Sequence, residues 1–136
     1  MRLTLPALVA ALAAPLPALA ERVLTPDEFA AMAVGRTMHF DRFGEAFGAE
    51  QYFEDGRVIW SFEEGGCQRG IWFSNREGEI CFVYGGADPA PQCWSFRERP
   101  DGRFIARLDD ADPEEDLVTR RVSDEALDCP APDAGI

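Results

Sequence analysis

Four cysteines, one histidine and one run of acids are the residues of this chain whose types could do chemistry. Cys67, Cys81, Cys93 and Cys129 could bind a metal, exchange electrons or cross-link the fold. No C-x-x-C pair occurs, and the chain has only one histidine, so the spacings oppose a zinc site. Structural disulfides are the expectation. His39 could serve as a general base or a metal ligand. It lies between Met38 and Phe40 with no Ser, Cys or acid at a motif spacing, and it reads as a sheet-face histidine. No G-x-S-x-G nucleophile turn is present. Gly65-Gly66 and Gly85-Gly86 lack the helix and lysine that a phosphate loop needs. Asp109, Asp110, Asp112, Glu114, Glu115 and Asp116 offer oxygen ligands of the kind hard cations take. The run has neither the glycine nor the spacing of an EF-hand loop, and it reads as a solvated face that would attract a partner. The chemistry expected is therefore no catalysis, no cofactor and no metal, with an uncharacterised hydrolase as one alternative.

The elements that must position these residues begin after a leader. Met1-Arg2 is a short positive start, Leu3 to Pro17 is apolar, and Ala18-Leu19-Ala20 is a small-x-small cleavage site. That pattern is a secretory signal peptide. It predicts cleavage after Ala20, a periplasmic product and no membrane insertion after cleavage. Residues 21–136 then form a single domain in a compartment where thiols oxidise. The chain carries a net charge of −12, and losing the leader's only charge, Arg2, makes it −13. Such a charge argues against nucleic acid, whose phosphates it would repel. It favours a basic protein, an envelope component or a cation as partner. Neighbouring turns add Glu54, Asp55, Glu63 and Glu64 to the acidic run. The oligomeric state has no sequence signal.

Thr25-Pro26-Asp27-Glu28 is a helix start, with a capping box and proline at the first helical position. Phe29, Met32 and Ala33 share one face, and Gly35 stops the helix. Strand patterns follow at 37–40, 51–53, 58–62, 67–73, 80–84, 92–97, 103–108 and 117–122, separated by turns such as Asp55-Gly56. From Ser123 the tail is irregular. The fold expected is mainly β: one short N-terminal helix, then an antiparallel meander of about eight strands forming a small barrel or half-barrel. A two-layer sandwich is the alternative.

Four cysteines allow three connectivities. If 80–84 and 92–97 face each other, Cys81 reaches Cys93 on one side. The other side presents Ile80, Phe82, Trp94 and Phe96. Cys67–Cys129 follows by elimination. Trp60, Phe82, Trp94 and Phe96 are expected in one core. The aromatic side chains are expected to fill the barrel, with a cavity for a small apolar ligand as the alternative.

Cys67-Gln68-Arg69-Gly70-Ile71-Trp72, Ile80-Cys81-Phe82-Val83-Tyr84 and Pro91-Gln92-Cys93-Trp94 carry a resemblance. With Leu24-Thr25-Pro26-Asp27-Glu28 before them, they resemble a group of small exported alphaproteobacterial proteins of unknown function. The pattern is G-x-W … C-F-x-Y … C-W, over residues 24–130. The resemblance implies a periplasmic β domain with a disulfide, and no activity. The architecture is also similar to small periplasmic barrels that inhibit lysozyme, whose inhibitory loop motif does not occur here. The function expected is a non-catalytic periplasmic binding or interaction module. A small-ligand-binding barrel and a lysozyme-inhibitor-like protein are the alternatives.

Overall fold

The structure, a computed structural model, describes residues 20–86 and 90–130. The leader up to Leu19, residues 87–89 of one expected loop and the last six residues of the tail lie outside the described residues. The elements are β1 (Arg22–Val23), α1 (Pro26–Ala33), β2 (Thr37–Arg42), β3 (Glu45–Tyr52), β4 (Arg57–Phe62), β5 (Cys67–Ser74), β6 (Ile80–Tyr84), β7 (Gln92–Glu98), β8 (Phe104–Leu108) and β9 (Leu117–Ser123).

Each strand from β2 to β9 pairs antiparallel with the next, and β9 returns to pair with β2. The meander therefore closes into an eight-stranded barrel, and β1 adds a short rung beside β7. Closure removes the exposed edges that an open half-barrel would leave. Two strands extend by more than one residue beyond the sequence reading. β2 runs on to Arg42, and β3 begins at Glu45, joined to β2 by the Phe43-Gly44 turn, where both residues have positive φ.

Side chains alternate between the interior and the outside. Met38, Phe40, Tyr52, Trp60, Phe82 and Phe96 face inward and are buried. Polar residues such as Gln51, Arg69, Ser95 and Arg97 occupy the opposite phase. Among the described residues no helix is long and apolar enough to cross a membrane.

One end of the barrel is plugged. An eight-residue helix is marginal alone, and α1 holds because it is capped and buried. Thr25 Oγ1 accepts from the Glu28 amide at 3.2 Å, and Glu28 Oε2 accepts from the Thr25 amide at 2.8 Å. Phe29 and Ala33 are fully buried. The Phe29 ring meets those of Tyr52, Trp72 and Phe96 at 5.4, 5.4 and 4.4 Å. Gly78, in the β5–β6 turn, approaches Pro26 and marks this end as the helix end.

Two disulfides join Cys81 to Cys93 and Cys67 to Cys129. Such bonds belong to oxidising compartments. Cys81 and Cys93 are directly opposed in the β6–β7 ladder, so the bond lies on the outer face. The tail crosses the outside of the barrel before it reaches Cys67. Thr37 Oγ1 donates to the Glu125 carbonyl at 2.6 Å, and the Leu127 amide donates to Gln51 Oε1 at 3.0 Å.

Candidate functional site

The strand order decides where the loops go. With α1 at the base, the turns β2–β3, β4–β5, β6–β7 and β8–β9 all emerge at the opposite end. That end is not filled. A cavity of about 400 Å³ opens there, within the range of small-molecule sites. The aromatic residues therefore do not fill the barrel. Trp94, expected in the core, is half-buried and lines the cavity, while Trp60, Phe82 and Phe96 are buried.

Phe40, Trp60, Phe82 and Trp94 form much of the wall. Phe47 and Phe62 stand at the mouth in edge-on contact, with ring centroids 6.3 Å apart. Arg42 lies over the Phe43 and Phe47 rings at 5.1 and 5.4 Å and faces Glu115 at 3.7 Å. Its Nε is buried without a hydrogen-bond partner.

Arg42, Gln68, Gln92 and Glu115 also line the cavity, and one further polar group is buried in its wall. Glu50 of β3 is 1% exposed. Tyr84 Oη donates to it, lying 2.9 Å from Oε1 and 3.0 Å from Oε2. Burial outweighs that hydrogen bond and raises the Glu50 carboxyl to about 8. It is therefore mostly protonated at neutral pH. Burial, and then the nearby Glu50 charge, push the Tyr84 hydroxyl upward, so it remains a donor.

Two glycines make the arrangement possible. A Cβ at Gly70 would collide with the Val83 carbonyl and sit 2.9 Å from the Tyr84 ring. A Cβ at Gly48 would lie 2.7 Å from the Ser61 carbonyl and strike the Trp60 indole. Both rings can lie against bare backbone only because these residues lack side chains.

The acidic run lies at the mouth. Asp109, Asp110, Asp112, Glu114 and Glu115 are exposed. Asp112 Oδ1 accepts from the Glu114 amide at 3.0 Å and starts a short 3-10 turn, Pro113–Glu115. Asp116 departs from the solvated face expected for the run. It is 4% exposed and takes two hydrogen bonds from Arg107, at 2.8 and 2.6 Å. Glu63 and Glu64, exposed in the β4–β5 turn, lie at the same end as the run, where Glu63 borders the outer cleft that holds His39. Glu54 and Asp55 do not, because their turn lies at the helix end, and Asp55 pairs with Arg57 at 2.6 Å. Among the described residues no three His, Cys, Asp or Glu side chains gather as a metal site.

His39 faces outward on β2, with Nε2 3.2 Å from Ser123 Oγ. Burial and then Arg121 and Arg120 lower its pKa, so it is neutral at pH 7. It lies on the opposite side of the wall from Glu50, because its partner in the ladder is Ala49.

These features define a class: a closed antiparallel barrel, plugged at one end, with an aromatic cavity open at the other. No protein-family model, curated protein or solved structure matches the chain, so its own geometry carries the functional argument.

Proposed function

We propose that the protein is a non-catalytic, periplasmic small-molecule-binding barrel that takes a partly apolar ligand into the open cavity. The observation that carries the reading is a buried carboxyl, Glu50, in the wall of a cavity of about 400 Å³. A buried acid without a cationic partner weakens an empty fold. Its presence makes sense where a ligand supplies the missing contact. The aromatic walls supply area, and Glu50 and Tyr84 supply orientation. The separation of His39 from Glu50 supports a non-catalytic role, since the two groups best placed to move protons near neutral pH do not meet. Two disulfides and the leader support export.

The test is titration with N-phenyl-1-naphthylamine, a neutral apolar dye that brightens out of water. Wild type should bind it saturably. Ala106 is 2% exposed and lines the cavity. Ala106→Phe should weaken the dye at least about tenfold while the near-ultraviolet circular dichroism shows retained packing. Equal dye binding by a folded Ala106→Phe protein would place the dye elsewhere and end the reading.

A further inference from the structure

We propose that the ligand is an organic cation, an ammonium or quaternary ammonium group on an apolar body, seated beside Glu50 among the rings of Trp60, Phe82 and Tyr84. The inference rests on reading the cavity as a ligand site, and three separate observations support it.

The first is the unmatched acid. Glu50 has one hydrogen-bond partner, the Tyr84 hydroxyl, which donates to it. Among the described residues no Arg or His forms an ion pair with it. A donor aimed at both oxygens suits the ionised form, so the site is prepared for a carboxylate and lacks only the positive charge.

The second is the wall. The ladder puts Trp60 directly across from Glu50. Phe82 and Tyr84 stack in parallel at 6.3 Å. Aromatic faces attract cations, and more strongly where water is excluded.

The third is the rim. Asp109, Asp110, Asp112, Glu114 and Glu115 lie at the same end as Glu63 and Glu64. Glu115 is the acid of the run that lines the cavity, beside Arg42, and the exposed acids on the loops of this end favour the approach of a positive ligand. An anionic ligand would have to cross this rim, and it would meet Arg42 only where Glu115 and two rings already face it.

Binding then releases the Glu50 proton to solvent. The groups facing Glu50 do not confuse this readout. Met38 of β2 and Trp60 of β4 flank it. Tyr52 on its own strand and Tyr84 on β6 are both held protonated. Arg42 and Glu115 stand at the mouth.

The experiment displaces the neutral dye with two molecules of one shape, benzyltrimethylammonium and neopentylbenzene, on wild type and Glu50→Gln. The quaternary cation does not titrate, so any pH dependence belongs to the protein. In wild type at about pH 9 the cation should displace the dye at least about tenfold more effectively than its neutral twin. Its affinity should rise by nearly tenfold per pH unit from about pH 6 and level off above about 8. Glu50→Gln should lose the preference, each molecule being read against the variant's own dye affinity. Equal displacement by the two molecules in wild type, or a preference that survives in Glu50→Gln, overturns the cation and leaves the cavity standing. Failure of the dye to enter wild type overturns both.

Discussion

Glu50→Gln should make the unliganded protein more stable at neutral and alkaline pH. An acid whose folded value lies above its unfolded one stabilises the fold most at low pH, where both states hold the proton. As pH rises past 4.5 the unfolded chain ionises, while the folded chain keeps its proton up to about 8. Stability is lost across that window and levels off above it. The gap between 4.5 and about 8, at ~1.36 kcal/mol per pH unit, is worth about 5 kcal/mol in total. At pH 7 the loss is already about 3 kcal/mol by the same arithmetic. Glutamine keeps the shape and can still bond Tyr84, but it never ionises. Urea melts of both proteins at about pH 4, 7 and 9 isolate the term, because every other titrating group is common to the two. The variant's advantage should grow from near zero to several kcal/mol. A difference that stays constant across that range would show that Glu50 titrates normally, and the buried-acid argument would fail.

The helix plug and the outer ion pair give two further expectations. Phe29→Ala removes a fully buried ring from the base and should cost about 3–5 kcal/mol in denaturant melts; a loss below about 1 kcal/mol would mean α1 does not close the barrel. Asp116→Ala leaves Arg107, whose side chain is only 18% exposed, with Glu21 as its remaining ionic partner. It should cost about 3 kcal/mol, and the exposed Asp112→Ala should cost under about 1 kcal/mol; similar losses for the two would return Asp116 to the solvated loop.

The barrel was legible in the chain because its signals are local. Asp55-Gly56 marks a hairpin, and alternation in Val58-Ile59-Trp60-Ser61-Phe62 and Ile80-Cys81-Phe82-Val83-Tyr84 fixes two inward faces. The capping box marks the only α-helix among the described residues. The cavity was not legible, because empty volume depends on how side chains from eight strands meet, and no single segment encodes it. Glu50 escaped for a more particular reason. Gly44 and Gly48 interrupt the apolar alternation, and a bulge at Phe40/Asp41 shifts the β2–β3 register. Residues 41–50 therefore gave no strand pattern. Carrying the phase of Tyr52 back by two residues would have exposed an acid at an inward position. Its partner, Tyr84, lies 34 residues away and had no local signal at all. The acidic run was visible, but its place at the open end follows from counting strands, and Asp116's burial follows from its pairing with Arg107 on the outer side.

Within the barrel every ladder joins neighbours in sequence except β2 with β9. Hairpins close small loops and form early, whereas the last ladder must bring distant segments together against a larger entropy. The two disulfides divide along the same line. Cys81 and Cys93 are 12 residues apart within one hairpin, so they can oxidise while the sheet is still open. Cys67 and Cys129 are 62 residues apart, and the tail reaches Cys67 by way of Thr37 on β2 and Gln51 on β3. Their sulfurs meet only once β9 has docked on β2. The second bond is thus a latch on a finished ring, and its oxidation records the moment at which the barrel has closed.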